Sequence, residues 1–337
     1  MNAYDEASLD GMPGRPRAAT PLAGRSGGWA VGLDIGGTKV LGVAVDPDGV
    51  PRHEVRTATV RGLDGVVTGA ADAVERLAAL AGIGVGELVG VGIGVPGVVV
   101  PGDGSVEHAV NLGIAGRVPL AAHLHDRLGG VVPVRVENDL NAAVVGAAAA
   151  TDGAHGLAPD VAFLALGTGV AAGLLLDGRL RRGVRGSAGE IGHLTLVPDG
   201  LPCKCGRAGC LEQYASGSAL DAAWPSTDGR PSPALVFEAA EAGDAVAVAL
   251  RDRFAWAVGS AVRILVLTCD VGRVVIGGGV AAIGEPLLDV VRAALLAESR
   301  QSPFLASLDL AERVTLAPAG VPVGALGAAL VGRGTYA

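Results

Sequence analysis

The stretch WAVGLDIGGTKVLGVAVDPDG (residues 29–49) decides the fold. Residues 30–35 are apolar and predict a buried strand. Gly36-Gly37-Thr38 predicts a tight turn, residues 39–45 a second strand, and residues 46–49 a polar turn into a third. The stretch VAFLALGTGVAAGLLLDG (residues 161–178) repeats the theme of strand, Gly-rich hairpin, strand and polar turn. Two copies of one unit imply an internal duplication. Two similar α/β lobes facing each other would leave a cleft between them, the usual place for a ligand.

The remaining pattern fits alternating helices and strands. Val66, Val67, Ala70, Val74, Leu77 and Leu80 recur at helical spacing. Residues 88–95 and 131–136 read as strands, 141–150 as an Ala-rich helix, about 246–267 as a long helix, and 273–276 as a strand. Further helices are predicted from Glu285 and from Val323. Residues 1–28, rich in Gly, Pro, Ala and Arg, have no periodicity and read as a disordered tail. The division expected is a small lobe over 29–137, with a C-terminal helix at about 321–337 packing back on it, and a large lobe over 138–320.

Composition excludes several functions. The chain has 337 residues, is half hydrophobic, and carries a formal net charge of −8. An acidic chain is a poor partner for phosphate backbones, so no nucleic acid is expected. The longest apolar run, residues 161–176, is interrupted by Gly167-Thr168-Gly169, so no membrane span is expected. The acidic first ten residues lack an apolar core, so no secretory signal is expected. Three of the four cysteines fall within eight residues, a spacing that suits a metal site in a reducing cytoplasm better than disulfides.

That cluster reads H-x9-C-x-C-x4-C: His193, Cys203, Cys205 and Cys210, one imidazole and three thiols suited to tetrahedral zinc in a loop over 193–210. Four protein ligands would leave no open position, so the metal is structural in this reading. Glu190 and Glu212 flank it, either as pocket residues or as solvated carboxylates on a zinc-stapled loop. Asp34-Ile35-Gly36-Gly37-Thr38-Lys39 follows a buried strand. Its glycines let a ligand approach the backbone and its N–H groups suit an anion, while Asp34 could hold Mg2+. A plain hairpin turn is the alternative. Glu137-Asn138-Asp139-Leu140-Asn141 precedes a helix. It reads either as an N-cap cluster or as a site in which Asp139 is a general base. Gly92-Ile93-Gly94-Val95-Pro96-Gly97 matches G-x-G-x-x-G, but Pro96 and the strand-like residues after it deny the helix a dinucleotide motif must open.

Taken in order, Asp34 to Lys39, Val95-Pro96-Gly97, Glu137 to Asn141, Leu166 to Gly169, Gly189-Glu190-Ile191-Gly192-His193, Cys203 to Glu212 with Tyr214-Ala215-Ser216-Gly217, and Ile276 to Gly279 resemble the ROK family. That family comprises bacterial glucokinases, related hexose and amino-sugar kinases, and sugar-responsive repressors, and the resemblance spans residue 31 to the C-terminus. It implies a two-lobed actin-like (ribonuclease H-like) ATPase fold with an interlobe cleft, and a kinase transferring phosphate from Mg-ATP to a hexose, at O6 of glucose or a close analogue. An amino or N-acetylated hexose is the rival substrate. By the same resemblance Asp34, Gly36, Gly37, Thr38 and Lys39, with Gly167, Thr168 and Gly169, would face the phosphates, and Gly277, Gly278 and Gly279 the adenosine. Gly97, Asn111, Asn138, Asp139, Glu190, His193 and Glu212 would hold the sugar, and Asp139 would take the hydroxyl proton. His193 would place one ring nitrogen on zinc and the other on the sugar. The resemblance and the frequency of two-fold assemblies imply a homodimer. A regulator would need a helix-turn-helix ahead of the sugar domain, and residues 1–28, with Pro13, Pro16 and Pro21, are not expected to supply one. Two departures from the family pattern are Ala171-Ala172 after the second hairpin, with methyl groups expected near the phosphate path, and Ala147, where an acidic residue often follows the glycine.

Overall fold

A computed structural model of the protein describes residues 27–100, 102–152 and 160–336. The tail expected over 1–28 lies outside the described residues up to residue 26. Gly28 is already anchored, its carbonyl accepting from Arg333 Nη2 at 3.0 Å.

The first lobe begins with the hairpin read from the sequence, β1 (Ala30–Ile35) and β2 (Lys39–Val45), followed by β3 (Pro51–Ala58) and α1 (Leu63–Leu80). β4 (Gly90–Val95) runs parallel to β1. β5 (Val98–Val100) and β6 (Ser105–Glu107) form a separate ribbon, and α2 (Leu120–Arg127) leads to β7 (Val134–Asn138). The sheet order is β3-β2-β1-β4-β7. α3 (Asp139–Asp152) follows, then the second lobe: β8 (Val161–Leu166), β9 (Val170–Leu176) and β10 (Arg179–Leu180). Helices α4 (Glu212–Ala215), α5 (Gly217–Ala223), α6 (Ser232–Glu241) and α7 (Ala245–Cys269) precede β11 (Arg273–Gly277). α8 (Glu285–Ser299), α9 (Pro303–Ala306), β12 (Val314–Leu316) and α10 (Val323–Gly332) complete the chain.

The second sheet has the order β10-β9-β8-β11-β12. In each lobe the first strand pairs antiparallel with the second and parallel with the fourth, so the duplication is one of topology as well as of pattern. The central strands are apolar on both faces because helices cover both: Ala30, Val31, Leu33 and Ile35 of β1 are all buried. α1 buries Val66, Val67, Ala70, Val74 and Leu77 as its spacing predicts, whereas Leu80, in the last turn, is exposed.

α10 packs across β1, β2 and β4 and crosses α3, which lies against β8 and β9. Only glycine permits that crossing. A Cβ at Gly327 would sit 1.7 Å from the Ala142 carbonyl oxygen, and one at Gly146 would sit 1.9 Å from that of Val323. Ala147, beside it, is fully buried, so a carboxylate there would lose its water.

Boundaries moved where side chains cap. The strand expected over 131–136 runs from Val134 to Asn138, and the helix starts at Asp139 rather than at residue 141. Asn138 Oδ1 causes the shift by accepting from Leu140 N at 3.0 Å and Asn141 N at 3.3 Å. The G-x-G-x-x-G segment is strand β4 running into β5, as Pro96 implied. Among the described residues no helix is long and apolar enough to cross a membrane.

Candidate active site

The two hairpins occupy matching positions, at the C-terminal ends of β1 and β8. Gly36 N donates to Lys39 O at 2.9 Å in the first, and Gly167 N to Gly169 O at 3.0 Å in the second. Thr59 braces the first hairpin, its hydroxyl donating to Gly36 O at 2.7 Å and its N–H to Thr38 O at 3.1 Å. Thr38, Lys39 and Thr168 are exposed at the tips. Asn111 stands next to the first hairpin: a Cβ at Gly37 would lie 3.2 Å from the Asn111 Cβ.

Asp34, at the end of β1, meets the charge of Asp139 and of Lys39. Burial, then the Asp139 carboxylate, pushes its carboxyl from 3.8 up to about 6, with Lys39 pulling the other way. Asp139, in the first turn of α3, is also pushed up, mainly by burial and further by Glu190, while the Leu140 N–H holds it down. The structure thus brings Asp34, Lys39, Asp139 and Glu190 together from three separate segments. Crowded carboxylates with one ammonium among them make a place that a hard divalent cation would neutralise.

Glu190 meets Asp139 from a segment, Gly189-Glu190-Ile191-Gly192-His193, that lies flat against β9. Gly189, at φ +94°, would drive a Cβ to 1.8 Å from the Ala172 carbonyl oxygen, and Ala172 N donates to Gly189 O at 2.8 Å. Glu212, expected at the sugar, sits under the second hairpin: its Oε2 accepts from Val170 N at 3.1 Å. Ala172 is buried inside the second lobe's core and Ala171 pairs with Ala165 within the sheet, so these methyls do not form the tip of the second hairpin. Gly277 ends β11 against the Phe163 ring. Gly278 lies close to the Leu166 carbonyl beside the second hairpin, and Gly279 faces open space.

The metal-type cluster assembles as its spacing implied. One ligand atom from each of His193, Cys203, Cys205 and Cys210 lies within 4.8 Å of the others. Cys205 and Cys210 sulfurs are 3.6 Å apart, and Cys203 Sγ lies 3.8 Å from His193 Nδ1. Tetrahedral zinc with Zn–S bonds of about 2.3 Å requires sulfur separations of about 3.8 Å, so the cluster could hold zinc. With Nδ1 turned to the sulfurs, Nε2 is left for another partner. Burial raises the Cys210 thiol to about 11. At Cys205 the N–H of Arg207 lowers it. The loop is pinned to the lobe where Leu201 N donates to the Tyr214 hydroxyl at 2.8 Å.

Glu137 is committed to the protein, and Asn138 is bonded within it on both sides of its amide. Glu137 is buried: its Oε1 accepts from Asn138 N at 3.0 Å and Asn141 Nδ2 at 2.9 Å, and its Oε2 from Arg182 Nε at 2.7 Å. Asn138 caps α3 with its oxygen and donates through Nδ2 to the Gly97 carbonyl at 3.1 Å. Gly97 and Asn138 are therefore a bonded pair. Sequence reasoning missed Arg182, which sits in an arginine-rich turn with no motif. A cavity of about 410 Å3 lies behind the Glu137–Arg182 pair, lined in part by Val99, Arg135 and Tyr336, away from the converging carboxylates.

A family model described as the ROK family matches residues 30–333. The chain belongs to the ROK family. It is 35% identical over 282 residues to a glucokinase of Halalkalibacterium halodurans, covering 78% of this chain and 84% of that protein. It is 32% identical over 259 residues to an N-acetylmannosamine kinase of Haemophilus influenzae, covering 77% and 83%. A crystal structure of a ROK family glucokinase from Streptomyces griseus in complex with glucose and AMPPNP is similar with TM-score 0.70 and 34% identity, covering 91% of this chain and all of that one. The duplicated sheets of this ROK protein are those of the two-lobed, actin-like ATPase architecture.

Proposed function

We propose that this protein is an ATP-dependent hexose kinase acting on glucose or a close analogue. The observation that carries the reading is the grouping of Asp34, Lys39, Asp139 and Glu190 beside the first glycine hairpin, where Asp34 pairs with Gly94 and a Cβ at Gly94 would lie 3.5 Å from the Asp139 Cα. Asp139 takes the proton from the attacking sugar hydroxyl, at O6, as that oxygen bonds to the γ-phosphorus and the bond from phosphorus to the bridging oxygen breaks to release ADP. A carboxyl whose pKa is raised by burial accepts a proton more readily than an ordinary aspartate. Gly36, Gly37, Thr38, Lys39, Gly167, Thr168 and Gly169 bind the phosphates and Gly277, Gly278 and Gly279 border the adenosine. Phosphoryl transfer needs such positioning more than covalent chemistry. Asp34 would hold Mg2+, which supplies neutralisation of phosphate charge.

Glu190, His193, Glu212, Asn111 and the Asn138–Gly97 pair bind the sugar. Zn2+ on His193, Cys203, Cys205 and Cys210 would fix the His193 ring so that Nε2 faces the substrate. The chain divides in this reading into a small lobe, 29–137 with the C-terminal helix, and a large lobe, 138–320. It works as a cytoplasmic homodimer. The likeness to an N-acetylmannosamine kinase favours a second reading, a kinase of an amino or N-acetylated hexose. A non-catalytic sugar sensor is disfavoured by the intact Asp34, Lys39 and Asp139, and a sugar-responsive regulator is the different-class alternative.

The test is coupled ADP release with Mg-ATP against glucose, mannose, fructose, glucosamine, 3-amino-glucose, N-acetylglucosamine and N-acetylmannosamine. Sugar-dependent release is expected, with the highest kcat/KM for glucose. A better N-acetylated or amino sugar would select the second reading, and silence of zinc-loaded, folded protein across the panel would overturn the kinase.

A further inference from the structure

Arg182 connects the two segments that carry the candidate base and its neighbouring carboxylate. Its backbone follows β10 in the second lobe, and its carbonyl accepts from Ala188 N at 3.2 Å, closing the turn that ends at Gly189-Glu190. Its side chain leaves that lobe. The guanidinium donates to Glu137 Oε2 on β7 of the first sheet, and through Nη2 to the Tyr336 carbonyl, 3.0 Å away, beyond α10. Glu137 is two residues before Asp139, and its carboxylate is 4% exposed against 27% for Arg182. The other oxygen of Glu137 holds Asn138 N and the Asn141 side chain, which belong to the junction of β7 and α3. A carboxylate so buried is costly to leave without its cation and donors.

We infer that Arg182 is a positioning residue for phosphoryl transfer, holding the start of α3, and with it Asp139, through Glu137 across the junction of the lobes. The inference rests on the kinase reading of the same site. Arg182 touches neither substrate in that reading. Its loss therefore lowers kcat through a displaced base while the sugar contacts remain, and small misplacements of a reacting group are costly. Arg182 and Glu137 act as one unit, so removing both costs no more than removing either. The cavity behind the pair keeps the guanidinium partly wet, so Glu137→Gln does not strand a dry cation.

The experiment compares wild type, Arg182→Met, Arg182→Lys, Glu137→Gln and the double variant Arg182→Met/Glu137→Gln, in zinc-loaded full-length protein. Three things are measured: kcat and KM for the best sugar, sugar affinity by calorimetry, and amide hydrogen exchange. Arg182→Met is expected to lower kcat about 10- to 100-fold, from a misplacement of about 1 Å, with sugar affinity within about threefold. Arg182→Lys should recover part of the loss, and the double variant should be no worse than Arg182→Met. Exchange at Leu140 and Asn141 should rise about tenfold, with that of α7 unchanged. Unchanged kcat in folded Arg182→Met, multiplying effects of the two single substitutions, or lost sugar affinity with kcat intact would each overturn the inference. If Arg182→Met does not fold, the lysine and double variants carry the same comparison. A wild type without sugar-dependent ADP release overturns the kinase reading instead. The exchange measurement still decides the clamp in that case, and unchanged exchange at α3 defeats it.

Discussion

At the residue scale the site is defined by two carboxyls, Asp34 and Asp139, raised by burial and further by a neighbouring carboxylate. Asp139→Asn keeps the shape but cannot accept a proton, and should lower kcat by about 10²- to 10⁴-fold with sugar affinity little changed, read by steady-state kinetics beside calorimetry. Asp34 has a stability consequence whose sign is set by its pKa of about 6 against an ordinary 3.8. Between these values the folded protein binds more protons than the unfolded chain. The contribution is therefore full below pH ~4 and is lost as pH rises through ~6, by at most about 3 kcal/mol. Without Mg2+, Asp34→Asn should be the more stable protein at pH 7.5 by about 1–3 kcal/mol, and the gap should close at pH 4. Urea midpoints at the two pH values measure this, and added Mg2+ should narrow the gap at pH 7.5 for wild type alone. Asp34 and Asp139 were legible as candidates because each stands at the end of an apolar strand. Their mutual repulsion was not legible, since 105 positions separate them (139 − 34).

At the element scale two devices hold the site. The loop carrying Cys203, Cys205 and Cys210 has turns but no strand or helix of its own between Leu194 and Leu211. Cys205→Ala should lower zinc stoichiometry and weaken sugar binding about 10-fold or more, because the ring of His193 loses its anchor. Metal analysis and calorimetry on the same sample check both. The second device is the α3–α10 crossing. Gly327→Ala must separate two backbones that now touch, and should cost about 1–3 kcal/mol or more in urea unfolding. The spacing of the cysteines announced the first device. The second was hidden, because Gly146 and Gly327 look like ordinary small residues in Ala-rich helices until the helices meet.

At the scale of the whole molecule, two sheets of equal topology are joined through α3, α10 and the Arg182 clamp. In the proposed kinase, a sugar held by Asn111 from the small lobe and by Asp139, Glu190 and His193 from the large lobe should draw the lobes together. Small-angle scattering should then show a lower radius of gyration with saturating glucose than without, and an unchanged value in Asp139→Asn would mean that closure needs the carboxylate itself. Both lobes could be read from the sequence because each strand–hairpin–strand unit is written in about 18 consecutive residues, within the reach of hydrophobic periodicity.

By itself the sequence determined the duplicated strand–hairpin units, the helices whose apolar faces recur every three or four residues, and the histidine–cysteine cluster. All are local patterns, set by backbone geometry and by ligands close along the chain. Tertiary structure alone decided which partners the polar groups of the candidate site find. Asn138 donates to a carbonyl 41 positions away, Glu212 accepts from an N–H 42 away, and Glu137 is neutralised by an arginine 45 away. The physical reason is that a buried polar group must be satisfied by whatever the fold brings to it, and that partner is fixed by packing rather than by neighbours in sequence.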